Sequence, residues 1–183
     1  DWRLAENFPG FGMDNPDKGS FVYTSSDNGK TFVCLGGADV PNRSFDEHMV
    51  YEMNNGVLRM LVRLHNGIGE SCSYDRGKQW SKGHKTELGG PSSRFFIKKL
   101  KSGRVLLINH SNFKKRNNLT ALLSEDDGMT FPYSLLLDER DSVSYPDAVE
   151  CEDGMIRIVY DRERGCFLSS LEEAYSSARE ILT

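Results

Sequence analysis

"SSDNGKTF" (residues 25–32) returns as "SYDRGKQW" (73–80) and as "SEDDGMTF" (124–131), each time with Ser, Asp and Gly two apart and an aromatic at the end. Ser25, Ser73 and Ser124 lie 48 and then 51 residues apart, close to the roughly 40–50 residues that one blade of a radial β repeat occupies. A second signal interleaves with the first. "YEMNNGVLRMLVR" (51–63), "IKKLKSGRVLLIN" (97–109) and "VECEDGMIRIVYD" (149–161) each set a glycine-ended turn between two apolar runs. Asn-Gly, Ser-Gly and Asp-Gly between such runs predict hairpins, because Gly reaches positive φ without a Cβ clash.

Two hairpins per repeat make four strands, the blade of a β-propeller, in which radial repetition leaves only short edges. The expected fold is therefore all-β, a β-propeller of four-stranded antiparallel blades. Helical repeats are disfavoured because "VLRMLVRL" and "MIRIVYD" are β-rich and partly alternating rather than apolar at every third or fourth position. In this frame the repeated box has a folding role. Ser and Asp hydrogen-bond the nearby backbone, Gly takes the left-handed position and the terminal aromatic plugs between sheets. A calcium loop of the EF-hand kind needs more carboxylates than the box supplies.

The chain carries a net charge of −4 with 38% hydrophobic residues, which gives no basic excess for nucleic acid. No apolar run approaches the roughly 20 residues of a membrane helix. No signal-peptide pattern opens the chain, although a removed leader leaves a secreted or periplasmic location open. Cys34, Cys72, Cys151 and Cys166 form no CxxC pair, and with four His they make no zinc pattern. Neither a metal nor another cofactor is expected.

With strands named A and B around each glycine turn, C leading into the box and D beyond it, the chain supplies C and D of one blade. Two full blades follow, then A and B of a fourth, which is about three blades' worth in residues 1–183 treated as one partial propeller. Propellers have four to eight blades, so either the chain is a piece of a longer protein or the leftover half-blades of two copies pair. The second option predicts a homodimer closing a six-bladed ring, which a solution mass near twice that of one chain would show. "SSLEEAYSSAREIL" (169–182) reads as a short surface helix, with Ser169 and Glu172 as a capping box.

Antiparallel strands put the start of A, the end of B and the start of C on one face of the ring, opposite the boxes. That face collects Glu47, His48, Arg63, Glu70, Arg94, His110, Arg116, Tyr145, Asp147, Asp161 and Arg162. Strand-end charges are most often solvated or weakly paired, and their joint placement on one face is what marks them. Two arginines there suit a carboxylate, which Arg binds through its fork of N–H donors. A Glu beside a Tyr suits nucleophilic catalysis, since the carboxylate can take the proton of a phenol that is otherwise inert at neutral pH.

These residues resemble those of the sialidase (neuraminidase) superfamily, six-bladed propellers with Asp-box repeats. The three boxes are similar to its S-x-D-x-G-x-T-W pattern, departing at Gln79 and with Phe32 and Phe131 for Trp. "EHMVYEMNNGVLRMLVR" resembles the segment in which a Glu precedes a hairpin ending in an Arg. The resemblance implies that Glu47 assists the nucleophile and that Arg63 is the second arginine of a carboxylate-binding triad. "RNNLTALLSEDDG" is similar to the segment carrying the third arginine, here Arg116. "SYPDAVECEDGMIRIVYD" resembles the segment with the nucleophilic tyrosine, here Tyr145, with Pro146 where sialidases commonly have Ser. The resemblance covers nearly the whole chain and corresponds to the C-terminal half of the family's catalytic domain. The first triad arginine and the Asp acid/base have no counterpart here.

The implied activity is exo-hydrolysis of a terminal sialic acid or related acidic sugar from a glycan, with Tyr145 and Glu47 catalytic. Arg63, Arg116, Arg94, His48, Glu70 and Asp147 would bind substrate. The alternatives are a carbohydrate-binding or structural Asp-box propeller without turnover, or a fragment with no activity of its own.

Overall fold

A computed structural model describes residues 19–111, 114–163 and 165–170. Every regular element among them is a strand, and the strands form four antiparallel sheets in chain order. The first sheet pairs β1 (Ser20–Thr24) with β2 (Val33–Ala38). The second is a meander of β3 (Arg43–Glu52), β4 (Leu58–Leu64), β5 (Ile68–Ser73) and the two-residue β6 (His84–Lys85). The third repeats it with β7 (Phe96–Lys99), β8 (Val105–His110), β9 (Leu119–Ser124) and β10 (Tyr133–Asp138). The fourth holds β11 (Val143–Glu150), β12 (Ile156–Arg162) and β13 (Gly165–Ser170). These are propeller blades, and the hairpin glycines Gly56, Gly103 and Gly154 have φ of 81°, 85° and 84°, as their turns require.

Alternation along the strands explains how the blades stack. Side chains two apart share a face of a sheet, and the middle strands are apolar on both faces. Met60, Val62 and Leu64 of β4 pack with Ala38 and Val40 toward the first blade. Leu61 joins Phe95, Ile97, Val105 and Leu107 toward the third. Leu106 and Ile108 of β8 then meet Val143, Ile156, Ile158 and Tyr160 of the fourth. Each blade interface is thus a hydrophobic core of its own, and burial of these side chains is what holds neighbouring blades together.

The boxes fold as their composition requires. In the first, Ser25 Oγ donates to Asp27 (2.8 Å) and accepts from the Gly29 N–H (2.8 Å), while Asp27 also accepts from the Thr31 N–H (2.9 Å) and hydroxyl (2.7 Å). The same bonds recur around Ser124, Asp126, Gly128 and Thr130. At Asp75 the N–H of Gln79 takes the place of threonine's, so among the described residues the Ser73 hydroxyl (2.9 Å) is the one hydroxyl that donates to this carboxylate.

Three expectations change. The fourth blade has three described strands rather than two, because Gly165–Ser170 pairs with β12 as its strand C; among the described residues the end blades therefore hold three strands and two. The box aromatic does not plug between sheets everywhere: Trp80 and Phe131 pack against cores, whereas Phe32 remains 65% exposed. Ser169, proposed as a helix cap, lies in β13, and the helix expected beyond it falls outside the described residues.

Candidate functional site

The hairpin repeat places two sets of three residues at equivalent positions. Glu47, Arg94 and Tyr145 each stand nine residues before the turn glycine of their blade, and Arg63, His110 and Asp161 each stand seven after it. Equivalent positions on successive blades converge at one end of the ring axis, so the site is assembled from the same corner of three blades.

The start of strand A is irregular at both ends of this set. In β3 the register shifts between Arg43 and His48, and in β11 between Ser144 and Asp147, which leaves Tyr145 and Pro146 opposite Tyr160 alone. Proline has no N–H for a ladder, and bulges commonly re-aim side chains beside functional sites. Tyr145 sits in this bulge, 42% exposed and with φ of 52°, a backbone region that non-glycine residues seldom occupy.

Arg63 is buried, its side chain 3% exposed, and its Nη1 meets Glu47 Oε2 at 2.5 Å. Its Nη2 donates to the carbonyl of Ser92 (2.9 Å) and contacts that residue's hydroxyl (3.1 Å). The same carbonyl accepts Nη2 of Arg116 at 3.0 Å, and the Arg116 guanidinium lies 5.8 Å from the centre of the Tyr145 ring, within cation–π range. Glu47, Arg63, Ser92, Arg116 and Tyr145 therefore form one continuous chain of contacts across blades two, three and four.

An open cleft of about 650 Å³ adjoins Tyr145. Lys115, Arg116, Asp141, Ser142, Ser144, Asp161 and Glu163 line it with Tyr145. Ser144 donates to Asp161 at 2.9 Å, which fixes that carboxylate at the cleft. His110 stays outside it, buried, with Nε2 on the carbonyl of Val143 (2.8 Å). Burial holds its imidazole below the ordinary histidine range, so it is neutral at neutral pH.

The remaining sequence candidates do not line the cleft. His48 follows Glu47 and so points to the opposite face, where Nε2 meets the carbonyl of Phe21 at 2.9 Å. Glu70 faces blade three but sits opposite Leu61, about two residues deeper than Arg63. There it pairs with Arg59, and with His84 at 3.1 Å. Arg94 bridges to Asp147 at 3.1 Å, a partly exposed ion pair beside the Tyr145 bulge. Sequence reasoning missed Ser92 as a member of the cluster. Its contribution is a main-chain carbonyl, which no residue type announces.

Residues 13–158 match the BNR repeat-like domain family. A comparison with curated proteins finds no match. Among solved structures, the chain is similar to the Hadza microbial sialidase Hz136, at 27% identity and a TM-score of 0.68, over 80% of this chain and 30% of that one. It is similar in fold to the NanB sialidase from Streptococcus pneumoniae, at 20% identity and a TM-score of 0.64, over 79% of this chain and 24% of that one. A protein of unknown function from Dyadobacter fermentans DSM 18053 matches at 20% identity and a TM-score of 0.62, over 82% of this chain and 44% of that one. The chain thus spans less than half the length of each.

Proposed function

The chain belongs to the BNR repeat-like family, and from that membership we propose that it carries the nucleophile side of a sialidase-type glycoside hydrolase site. The observation that carries this reading is the unbroken contact chain from Glu47 through Arg63, Ser92 and Arg116 to Tyr145. The relation to sialidases is supported by Hz136, at 27% identity.

In this reading the sugar lies in the cleft with its carboxylate toward Arg116 and Arg63. Tyr145 Oη attacks the anomeric carbon as its proton passes to Glu47, and the leaving oxygen departs with the bonding pair and takes a proton from solvent. Water then cleaves the glycosyl–tyrosine bond, so configuration is retained by a tyrosine route rather than the usual carboxylate pair. Arg94 and Asp147 hold the strand that bears the nucleophile. A non-catalytic glycan-binding propeller is the second reading. It is favoured by one specific contact, since Glu47 Oε2 is already committed to Arg63.

An aryl sialoside, whose leaving group needs little protonation, separates the two. The enzyme reading expects turnover by the wild type and a loss of at least about a thousandfold in kcat for Tyr145→Phe. Undiminished hydrolysis by Tyr145→Phe would remove Tyr145 as nucleophile, and binding without turnover at any pH would select the second reading.

A further inference from the structure

We infer that the loop of residues 86–95 is a positioning device for the two arginines, with the Ser92 carbonyl as its working atom; this rests on the sialidase-type reading of the site. Two guanidinium groups that reach one oxygen repel each other, and a shared acceptor offsets that repulsion while setting their separation. The Ser92 carbonyl accepts from both, at 2.9 and 3.0 Å. The Ser92 hydroxyl adds a contact to Ser44 at 3.0 Å, from the strand that carries Glu47.

A carbonyl can set such a distance only if its loop is fixed, and this loop is tied to both blades. The Ile68 N–H donates to Leu88 (3.1 Å) and the Gly67 N–H to Gly90 (2.9 Å), which anchors it to blade two. Asn109 of β8 donates from Nδ2 to the Gly89 carbonyl at 2.7 Å, which anchors it to blade three. Gly90 makes this approach possible. Its φ is 140°, and a Cβ there would stand 3.0 Å from Asn109 Nδ2, so any side chain at this position strains the backbone and pushes the loop off its anchor.

The consequence is a division of labour. Arg63 and Arg116 bind the anion, and the loop sets their spacing without touching the substrate. Loss of an anchor should weaken carboxylate recognition while leaving the bond-breaking step largely intact, because the two arginines hold the sugar's carboxylate and not the reacting bond.

The test uses the full chain, with free sialic acid and its methyl ester as calorimetric probes and an aryl sialoside for turnover. Gly90→Ala and Asn109→Ala should each weaken binding of the acid by about tenfold or more, against about twofold or less for the uncharged ester. KM should rise with kcat held within about threefold. Ser92→Ala keeps the carbonyl and should shift acid binding by no more than about threefold. Thermal melts identify a variant that has not folded; should Gly90→Ala be one, Asn109→Ala decides. Folded anchor variants with wild-type affinity for the acid, or equal weakening of acid and ester, would overturn the positioning role alone. A wild type that binds neither probe would overturn the sialidase-type reading and this inference with it.

Discussion

Asp126 accepts the Thr130 hydroxyl, the Thr130 N–H and the Ser124 hydroxyl, and these bonds hold its carboxyl down to about 2. Asp27 is held at about 2 by the Thr31 N–H, the Thr31 hydroxyl and Ser25. Asp75 is lowered chiefly by the Gln79 N–H, with the Ser73 hydroxyl but no threonine hydroxyl to help. Because the folded values lie below the roughly 3.9 of an unfolded Asp, the stability they contribute is complete above about pH 4 and is lost as pH falls toward 2. Urea midpoints measured from pH 5 to pH 2 should therefore fall less steeply in Asp126→Asn than in the wild type. Parallel curves would show that the box carboxylate is not linked to folding. At this scale the Ser, Asp and Gly roles were legible in the repeat, since each acts within its own turn. The exposure of Phe32 was not, because what an aromatic packs against is decided by a neighbouring blade.

Strand parity governs what an element presents. Arg59, Leu61 and Arg63 share the face of β4 that looks toward blade three, and each meets that blade differently. Arg59 donates to the Gly128 carbonyl at 2.7 Å and to the Tyr51 hydroxyl at 3.2 Å, and it pairs with Glu70. Leu61 enters the core, and Arg63 reaches Ser92. Removing one partner of a buried ion pair leaves an uncompensated charge, so Arg59→Met should cost about 3–5 kcal/mol in urea unfolding. Adding Glu70→Leu to that variant should recover much of the loss; a double variant no more stable than the single one would contradict the assignment. The hairpins around Gly56, Gly103 and Gly154 were readable from turn chemistry. Strand C of the last blade was not, because strand C is recognised by the box it enters and no fourth box follows β13. His48 was read among the residues at the axial end from its position along the chain, and strand alternation turns its side chain toward Phe21 of blade one instead.

The whole molecule is a row of sheets whose packing faces are apolar and whose axial corner is charged. That corner is what the repeat makes of equivalent positions: Glu47, Arg94 and Tyr145 before the turns, Arg63, His110 and Asp161 after them. The recurrence of the blades followed from spacing. The linkage of Glu47 to Tyr145 did not, since it runs through a backbone carbonyl in a loop and through a bulge at Pro146. A measurement that asks this assembly for its chemistry directly is intact-mass and peptide analysis after incubation with a 3-fluorosialosyl fluoride. Fluoride departs without a proton donor, and the ring fluorine destabilises the oxocarbenium-like state that would release the sugar. The account predicts a stable adduct of one sugar per chain on Tyr145, absent in Tyr145→Phe. Binding of the reagent with no adduct, or an adduct on another residue that persists in Tyr145→Phe, would contradict it.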